Sequence, residues 1–241
     1  MNINKIKEQT ILRDFYSIYK GLTNKRIVKT CIYLALLIFL PGLAIGVIIA
    51  YFFGPESYNF FNNYISDLGS IRYTPAPFIL DTIAIITSIL LIPIVFYFTR
   101  MLYKTDKKSI GTLKKIFDIS MKILSLIGLL CLLSAIVGLL GIGVFSEDRT
   151  TPLGLHYIFS LVVFGSFAFA CWFDGFVIMV KKTPFFRGIG LYMFIATPSM
   201  AILFLYHPSP LTKPFIEWML LLSIIIWLIF INHVILKHIR K

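Results

Sequence analysis

Residues 31–53 read CIYLALLIFLPGLAIGVIIAYFF, and no charged residue interrupts this run. A helix needs about 20 consecutive, mainly apolar residues to cross the hydrocarbon core of a bilayer, so the run predicts a transmembrane helix. Five further stretches meet the same requirement, namely residues 78–102, 119–145, 156–180, 188–206 and 215–236. The sequence therefore predicts an all-α, polytopic integral membrane protein in which six transmembrane helices form a bundle.

The composition of the 241-residue chain agrees with a lipid environment. Hydrophobic residues make up 58% of the chain and charged residues only 14%, against about 25% charged residues in soluble domains. The six runs are uniformly apolar, which excludes a β-barrel because its strands of about ten residues alternate in polarity. We divide the chain into a basic leader (1–30), a transmembrane domain (31–236) and a basic tail (237–241).

The net charge of +12 is distributed unevenly along the chain. All but three of the 23 Lys and Arg residues fall in the leader, the second and fourth connectors, their flanks and the tail. The first, third and fifth connectors hold one each, namely Arg72, Arg149 and Lys213. The positive-inside rule therefore predicts cytoplasmic N- and C-termini and an outer face formed by these three connectors, in the cell membrane. The basic charge indicates orientation and contact with anionic lipid, not a nucleic-acid partner.

The leader contains apolar residues at helical spacing between basic ones: Ile11, Leu12, Phe15, Ile18, Tyr19 and Leu22. This pattern predicts a helix on the cytoplasmic lipid surface, and the alternative is a solvated basic arm. The 30 mostly polar residues before the first span, without an A-x-A site, indicate an uncleaved anchor rather than a signal peptide.

Small residues four positions apart predict the contact faces of the bundle, because they let helix backbones approach closely in lipid. They are Gly42, Gly46 and Ala50 in span one, Ser134 and Gly138 in span three, and Ser166, Ala170, Cys171 and Gly175 in span four. The alternatives are a homodimer face or a ligand groove. The three cysteines lie in or beside apolar spans, so we expect packing residues and no disulfide.

The first outer connector, residues 54–77, is rich in aromatic residues. An i, i+4 stripe predicts a short helix flat on the lipid boundary, formed by Phe60, Phe61, Tyr64, Ile65 and Leu68. Such a helix would cover the bundle as a lid. The ordinary aromatic belt of membrane proteins also explains this composition.

Several ionisable residues are candidates for a site at the outer face. His156 opens span four, and we expect its imidazole to meet a carboxylate from the first outer connector. Ser66, Asp67 and His156 supply the residue types of an acyl-transfer site, although the types alone specify no reaction. Asp81, at the start of span two, is a further ligand-binding candidate, and its alternative role is to satisfy the helix N-terminus. The same role explains Glu217.

Asp174 is the deepest carboxylate, and an acid inside the membrane is a functional candidate by default. We expect it to form an ion pair with Lys181 or Lys182 near the cytoplasmic interface. Metal-ligand spacings such as H-E-x-x-H and C-x-x-C do not occur. The sequence therefore predicts neither a metal nor a cofactor.

Two segments resemble known membrane proteins. Ile65-Ser-Asp-Leu-Gly69 with the Pro77-Phe78 opening of span two is the first, and GLLGIGVF at 138–145 followed by His156 is the second. The chain is similar to the prokaryotic domain-of-unknown-function family nine-nine-eight. It is also similar to the eukaryotic group of damage-regulated autophagy modulators and proteins that remodel GPI-anchor lipid.

This resemblance covers all six spans. It implies a polar outer-face site built from Ser66, Asp67, Gly69 and His156, and an association with lipid handling in the eukaryotic relatives. One departure is Ile79-Leu80-Asp81, where the resemblance leads us to expect an asparagine after Phe78.

We therefore expect a membrane lipid, bound by its headgroup or as a lipid-linked substrate, in an outer-face vestibule. The predicted ligand-binding residues are Ser66, Asp67, Gly69, Asp81 and His156. One alternative is a small-solute or ion transporter, in which Pro41, Pro93 and Pro198 kink three spans around a midplane cavity. The other is a non-catalytic assembly subunit that binds another membrane protein, or itself, through the small-residue faces.

Overall fold

The computed structural model describes residues 13–14, 16–103 and 112–240. Six long helices account for most of these residues: α1 (Lys25–Phe53), α2 (Phe78–Tyr103), α3 (Thr112–Val144), α4 (Leu155–Val180), α5 (Arg187–Tyr206) and α6 (Lys213–Arg240). All six are long and apolar enough to cross a membrane. The described residues contain no β-strand. The prediction of an all-α, six-span membrane protein is confirmed.

Three helices extend beyond the predicted apolar spans at their basic ends. α1 begins at Lys25, α3 begins at Thr112, and α6 continues to Arg240. A prediction from hydropathy ends the helix at the first charged residues. The helix itself continues, because its backbone hydrogen bonds form equally well outside the hydrocarbon. At α1 the Asn24 side chain accepts a hydrogen bond from the backbone N–H of Arg26 at 2.9 Å, which caps the extended helix.

Helices that are neighbours in sequence are neighbours in space. Close packing joins α1 to α2, α2 to α3, α3 to α4, α4 to α5 and α5 to α6. By contrast, α6 makes few close backbone approaches to α1 and α4. This leaves an interior space between α1, α2, α4 and α6.

Glycines allow the tightest helix crossings. A Cβ at Gly138 would lie 2.8 Å from Val163 Cγ2, and a Cβ at Gly175 or Gly190 would lie 2.8 Å from the carbonyl oxygen of the other glycine. Gly42 is similarly close to Ile83 of α2. The contact faces predicted at Gly42, Gly138 and Gly175 are confirmed, and Gly190 was not among the predicted residues. Ser134 is different, because its side chain is exposed on the surface of the bundle, so its assignment to a contact face was wrong.

Residues 54–77 form the lid, and the end of the bundle that carries it, together with connectors 145–154 and 207–212, is called the lid end. The lid packs on α1, α2 and α6 through an apolar cluster that includes Leu43, Ala50, Tyr58, Ile65, Leu68, Leu80, Ile83 and Trp218. The predicted short helix at 60–68 is wrong. This stretch instead contains a turn and the 3-10 helix Ser66–Gly69.

Side-chain hydrogen bonds within the lid explain why the stretch is not helical. Asn59 Oδ1 accepts hydrogen bonds from the backbone N–H groups of Phe61 and Asn62, at 3.1 and 3.0 Å. Asn63 Oδ1 accepts one from the Asn59 N–H at 3.0 Å. Such bonds offer the backbone an alternative to the helical ladder.

Two further predictions concern the leader and the prolines. Ile11, Leu12 and Phe15 lie outside the described residues, whereas residues 16–22 are helical. Within this helix Tyr19 packs edge-on against Phe96 of α2, with 6.1 Å between ring centroids. Its position on the lipid surface stays a prediction. The helices α1, α2 and α5 continue through their internal prolines.

Candidate functional site

Two cavities meet at the lid end of the bundle. The vestibule, of about 580 Å³, lies between α4, α5, α6, the lid and connector 145–154. The groove, of about 120 Å³, runs between α1, α2, α4 and α6. Polar side chains that line both cavities form what we call the junction: Ser66, His156, Ser160 and Glu217. The junction therefore joins a vestibule that carries several polar side chains among apolar ones to a groove that is almost entirely apolar.

His156 is buried at the first turn of α4, with 5% of its surface exposed. Its Nδ1 lies 2.7 Å from the carbonyl oxygen of Phe145. A carbonyl only accepts hydrogen bonds, so Nδ1 carries the proton. In the neutral ring Nε2 is then an acceptor, and it has no hydrogen-bond partner among the described residues. The nearest acid oxygen is Glu147 Oε2, at 3.4 Å.

The acid beside His156 thus comes from connector 145–154, and not from the lid as the sequence led us to expect. Glu147 begins the 3-10 helix Glu147–Arg149 and is exposed. Its carboxylate lies 3.4 Å from Nε2, so the vestibule side of His156 is acidic.

Glu217 lies in the first turns of α6 and is also 5% exposed. Its Oε2 accepts a hydrogen bond from the backbone N–H of Ile65 at 2.9 Å. The neighbouring Trp218 donates from Nε1 to the Asn63 carbonyl at 3.2 Å. The start of α6 therefore holds the lid and presents a carboxylate to both cavities.

Ser66 reaches the junction because of the turn in which it lies. Ile65 and Leu68, on either side of it, are buried in the cluster under the lid. The 3-10 helix Ser66–Gly69 connects them, and Ser66 lines both cavities. The apolar anchors of the lid thus determine where this hydroxyl lies.

Asp67 has a structural role within the lid. Its Oδ2 accepts hydrogen bonds from the Tyr64 N–H at 2.9 Å and from Asn63 Nδ2 at 3.3 Å. Burial raises the pKa of Asp67 above its ordinary value, although these two hydrogen bonds oppose the shift. The described lining of the two cavities does not include this residue.

Asp81 and Gly69 lie behind the junction. Asp81 is buried, and its Oδ2 lies 2.7 Å from Arg149 Nη2, which also donates to the Gly143 carbonyl at 3.1 Å. A Cβ at Gly69 would lie 3.4 Å from Asp81 Oδ1. The pair ties α2 to the end of α3, and neither Asp81 nor Gly69 belongs to the described cavity walls.

Asp148 attaches connector 145–154 to the lid. It accepts hydrogen bonds from Ser70 Oγ at 2.7 Å and from the Ile71 N–H at 2.6 Å. Together with the Asp81–Arg149 pair, this contact keeps the lid and the connector in one arrangement around His156.

Of the five residues predicted to bind a ligand, Ser66 and His156 meet at the cavities, while Asp67, Gly69 and Asp81 support them from behind. Sequence reasoning missed other vestibule residues: Tyr64, Glu147, Tyr157, Lys213 and Glu217. Glu217 carried a signal, since an acid inside an apolar span is a functional candidate. Its place near a helix start gave it a simpler explanation.

The predicted ion pair of Asp174 is wrong. Asp174 is fully buried against Gly128 of α3, and neither of its oxygens has a hydrogen-bond partner among the described residues. Lys181 donates instead to the Leu102 carbonyl at 2.6 Å. The reason is that α4 ends at Val180 and Lys181 takes an extended conformation, which directs its side chain towards α2.

Metal binding receives no support from side-chain grouping. Within the part of the chain that the structure describes, no three His, Cys, Asp or Glu side chains are arranged to hold a metal ion. The junction offers one imidazole, one carboxylate and two hydroxyls, which suit hydrogen bonding to a polar organic group.

These features define a class: a multi-pass membrane protein of six helices, with a lidded polar junction at one end and an apolar groove within the bundle. The chain belongs to the Frag1/DRAM/Sfk1/Cwh43P family, whose N-terminal domain model matches residues 28–236. Comparison with the curated proteins and with the solved structures gave no match. The predicted relation to the autophagy-modulator group is confirmed, whereas the relation to family nine-nine-eight stays a prediction.

Proposed function

We propose that this protein binds a membrane lipid, or a lipid-linked substrate, with the polar part of the ligand at the junction. The proposal rests on one observation. The imidazole of His156 is buried, and its Nε2 lacks a hydrogen-bond partner among the described residues. A buried acceptor without a partner costs free energy that a bound donor would recover.

The surroundings of His156 favour an amphiphilic ligand. The vestibule offers Glu147, Glu217 and Lys213 to a headgroup, and the groove on the other side of the same histidine is apolar. Ligand sites of this kind combine apolar walls with a few placed polar groups. By the positive-inside rule, we propose that the junction lies at the outer leaflet of the cell membrane.

Mass spectrometry of co-purified lipid tests this proposal. The protein would be extracted gently, and bound lipid would be quantified for the wild type, His156→Ala and Glu217→Gln. We expect about a tenfold loss of the bound lipid class in both variants, because each change removes a buried polar contact. His207→Ala is the matched control, since His207 is an exposed histidine at the lid end. Equal lipid profiles in all four proteins would refute the proposal.

The two rival functions predict other results. An assembly subunit would keep its lipid profile in every variant and retain a protein partner through purification. A transporter would move a small solute into proteoliposomes, and His156→Ala would change uptake without a change in bound lipid. The geometry of the junction specifies no reaction, so we propose binding and not catalysis.

A further inference from the structure

The groove has the shape of a long, narrow channel inside the bundle. Along α6 its lining follows one helical face, from Glu217 through Leu221, Ile225 and Leu228 to Asn232. At about 1.5 Å per residue this stripe is roughly 22 Å long. The groove is therefore longer than one leaflet of hydrocarbon, which is about 15 Å thick, half of the whole core.

The groove is closed at its far end and open along its side. Beyond Asn232, α1 and α6 come together, with Ile32 and Ile235 fully buried in one core and Arg240 donating to Tyr33 Oη at 3.2 Å. Nearer the lid end these two helices separate. Leu40 and Ile229 line the groove there and keep exposed surface, with Ile229 41% exposed.

The walls of the groove are almost entirely aliphatic and aromatic. Ala84 and Leu91 of α2, Val163 and Phe167 of α4 and Ile224 of α6 are buried residues that line it. A space of about 120 Å³ is far too small for a protein helix, which is about 10 Å in diameter. Lipid chains are the apolar molecules that surround a transmembrane bundle. Because the groove is open along its side, part of an unbranched chain can lie in it while the rest stays in contact with the bilayer.

We infer that the groove binds one acyl chain of a membrane lipid, which enters between α1 and α6 and has its polar end at the junction. The inference rests on the proposed function and adds the ligand class and the location of the chain. Two polar groups in the groove allow a hydrocarbon occupant to be distinguished from a polar one. Thr87 Oγ1 lies along the channel and Asn232 Oδ1 at its closed end, and neither has a hydrogen-bond partner among the described residues.

Asn232 acts as a length limit in this arrangement. A methyl end that reaches the buried amide gains no hydrogen bond and prevents water from reaching the amide. Chains that end before Asn232 are therefore preferred over longer ones. The hydroxyl of Thr87 contributes nothing to the binding of a hydrocarbon chain, whereas a polar solute in the same channel would use it.

The test compares acyl-chain length and headgroup class in the co-purified lipid of three groove variants. Ala84→Phe places a ring in the channel, and we expect about a tenfold loss of the longer chains from the loss of several buried methylenes. Asn232→Leu should shift the bound chains to greater length. Thr87→Val, which removes only the hydroxyl, should bind lipid as the wild type does. Leu130→Phe is the control for Ala84→Phe, because Leu130 is exposed on α3.

The outcomes separate this inference from the proposed function. If His156→Ala loses lipid while Ala84→Phe and Asn232→Leu keep the wild-type chain distribution, the junction binds a headgroup and the acyl-chain inference is overturned. If Thr87→Val abolishes lipid binding, the occupant of the channel is polar and the inference is also overturned. If His156→Ala keeps its lipid, the proposed function itself fails. Asn232→Leu adds no bulky ring. If Ala84→Phe does not give monodisperse protein, the chain distribution bound by Asn232→Leu tests the acyl-chain inference instead.

Discussion

At the residue scale, the acids at the lid end differ in role because their partners differ. Asp81 is paired with Arg149, and Asp148 accepts two hydrogen bonds from the lid. Glu217 also accepts a hydrogen bond from the lid, but it lies on the walls of both cavities. Asp81 and Asp148, whose bonds go to the protein's own groups, are structural, whereas Glu217 and Glu147 also face a ligand space.

Asp81 makes a larger contribution to stability than an exposed acid in the same region. Asp81→Asn removes the charge from a buried partner of Arg149, and we expect a loss of about 1–3 kcal/mol in unfolding free energy. Thermal unfolding in detergent measures it. Glu56→Gln is the control, because the Glu56–Arg72 pair at 2.8 Å is exposed and contributes little. Equal shifts in the two variants would contradict the structural role of Asp81.

The raised pKa of Asp67 predicts how the stability of the lid depends on pH. Its carboxyl binds protons more tightly in the folded lid than in the unfolded chain, so its contribution is complete below the ordinary value of 3.8. It is lost as pH rises through the folded pKa. Asp67→Asn should therefore lessen the fall in lid stability between pH 3.8 and the folded pKa of Asp67. The rate of limited proteolysis of the lid is measured across this pH range in the wild type and in Asp67→Asn. Parallel pH profiles in the two proteins would contradict the prediction.

At the element scale, the lid shows where pattern reading fails. Its apolar stripe satisfies helical spacing, but only Ile65 and Leu68 of the stripe are buried, whereas Phe60 and Phe61 are exposed. The asparagines and Asp67 nevertheless bind nearby N–H groups and form turns. In so short a segment the backbone conformation depends on local hydrogen bonds, so helical periodicity predicts neither the conformation nor the full set of buried side chains.

The contacts of Trp218 with the lid contribute to the free energy of lid opening. Trp218→Phe can keep an aromatic contact with Phe60, now at 4.7 Å between ring centroids, but it removes the hydrogen bond to the Asn63 carbonyl. We expect the free energy of lid opening to fall by about 1 kcal/mol, since a buried carbonyl loses its donor. Hydrogen exchange of residues 57–69 measures this effect. Trp172→Phe, at an exposed tryptophan of α4, should leave the exchange unchanged.

The crossing of α4 and α5 depends on two facing glycines. Gly190→Ala would place a Cβ 2.8 Å from the Gly175 carbonyl oxygen, so the helices must separate at a cost of about 1–3 kcal/mol. Gly165→Ala is the matched control within α4, where a Cβ meets nothing within 4 Å. There the gain in helix propensity raises stability by roughly 0.5–1 kcal/mol. Thermal midpoints that change in the same direction would contradict this account.

At the scale of the whole molecule, the six spans can be predicted from hydropathy because each helix must by itself be apolar enough to lie in lipid. The arrangement of the site depends on how helices meet, and no single helix encodes that. His156 was predicted because it opens a span, and Ser66 because of its residue type and the family resemblance. Glu217 was assigned to a helix start, and the groove was not foreseen, because it exists only where α6 separates from α1 and α4.

The orientation of the bundle decides which leaflet supplies the ligand. The basic leader and tail predict that the lid end faces outward. In a background without Cys31, Cys131 and Cys171, Asn62→Cys on the lid and Lys182→Cys at the other end are both exposed positions. A membrane-impermeant maleimide applied to intact cells should label the lid cysteine, and Lys182→Cys should react only after permeabilisation. The reverse pattern would place the junction at the cytoplasmic leaflet, and the lipid bound there would have to come from that side.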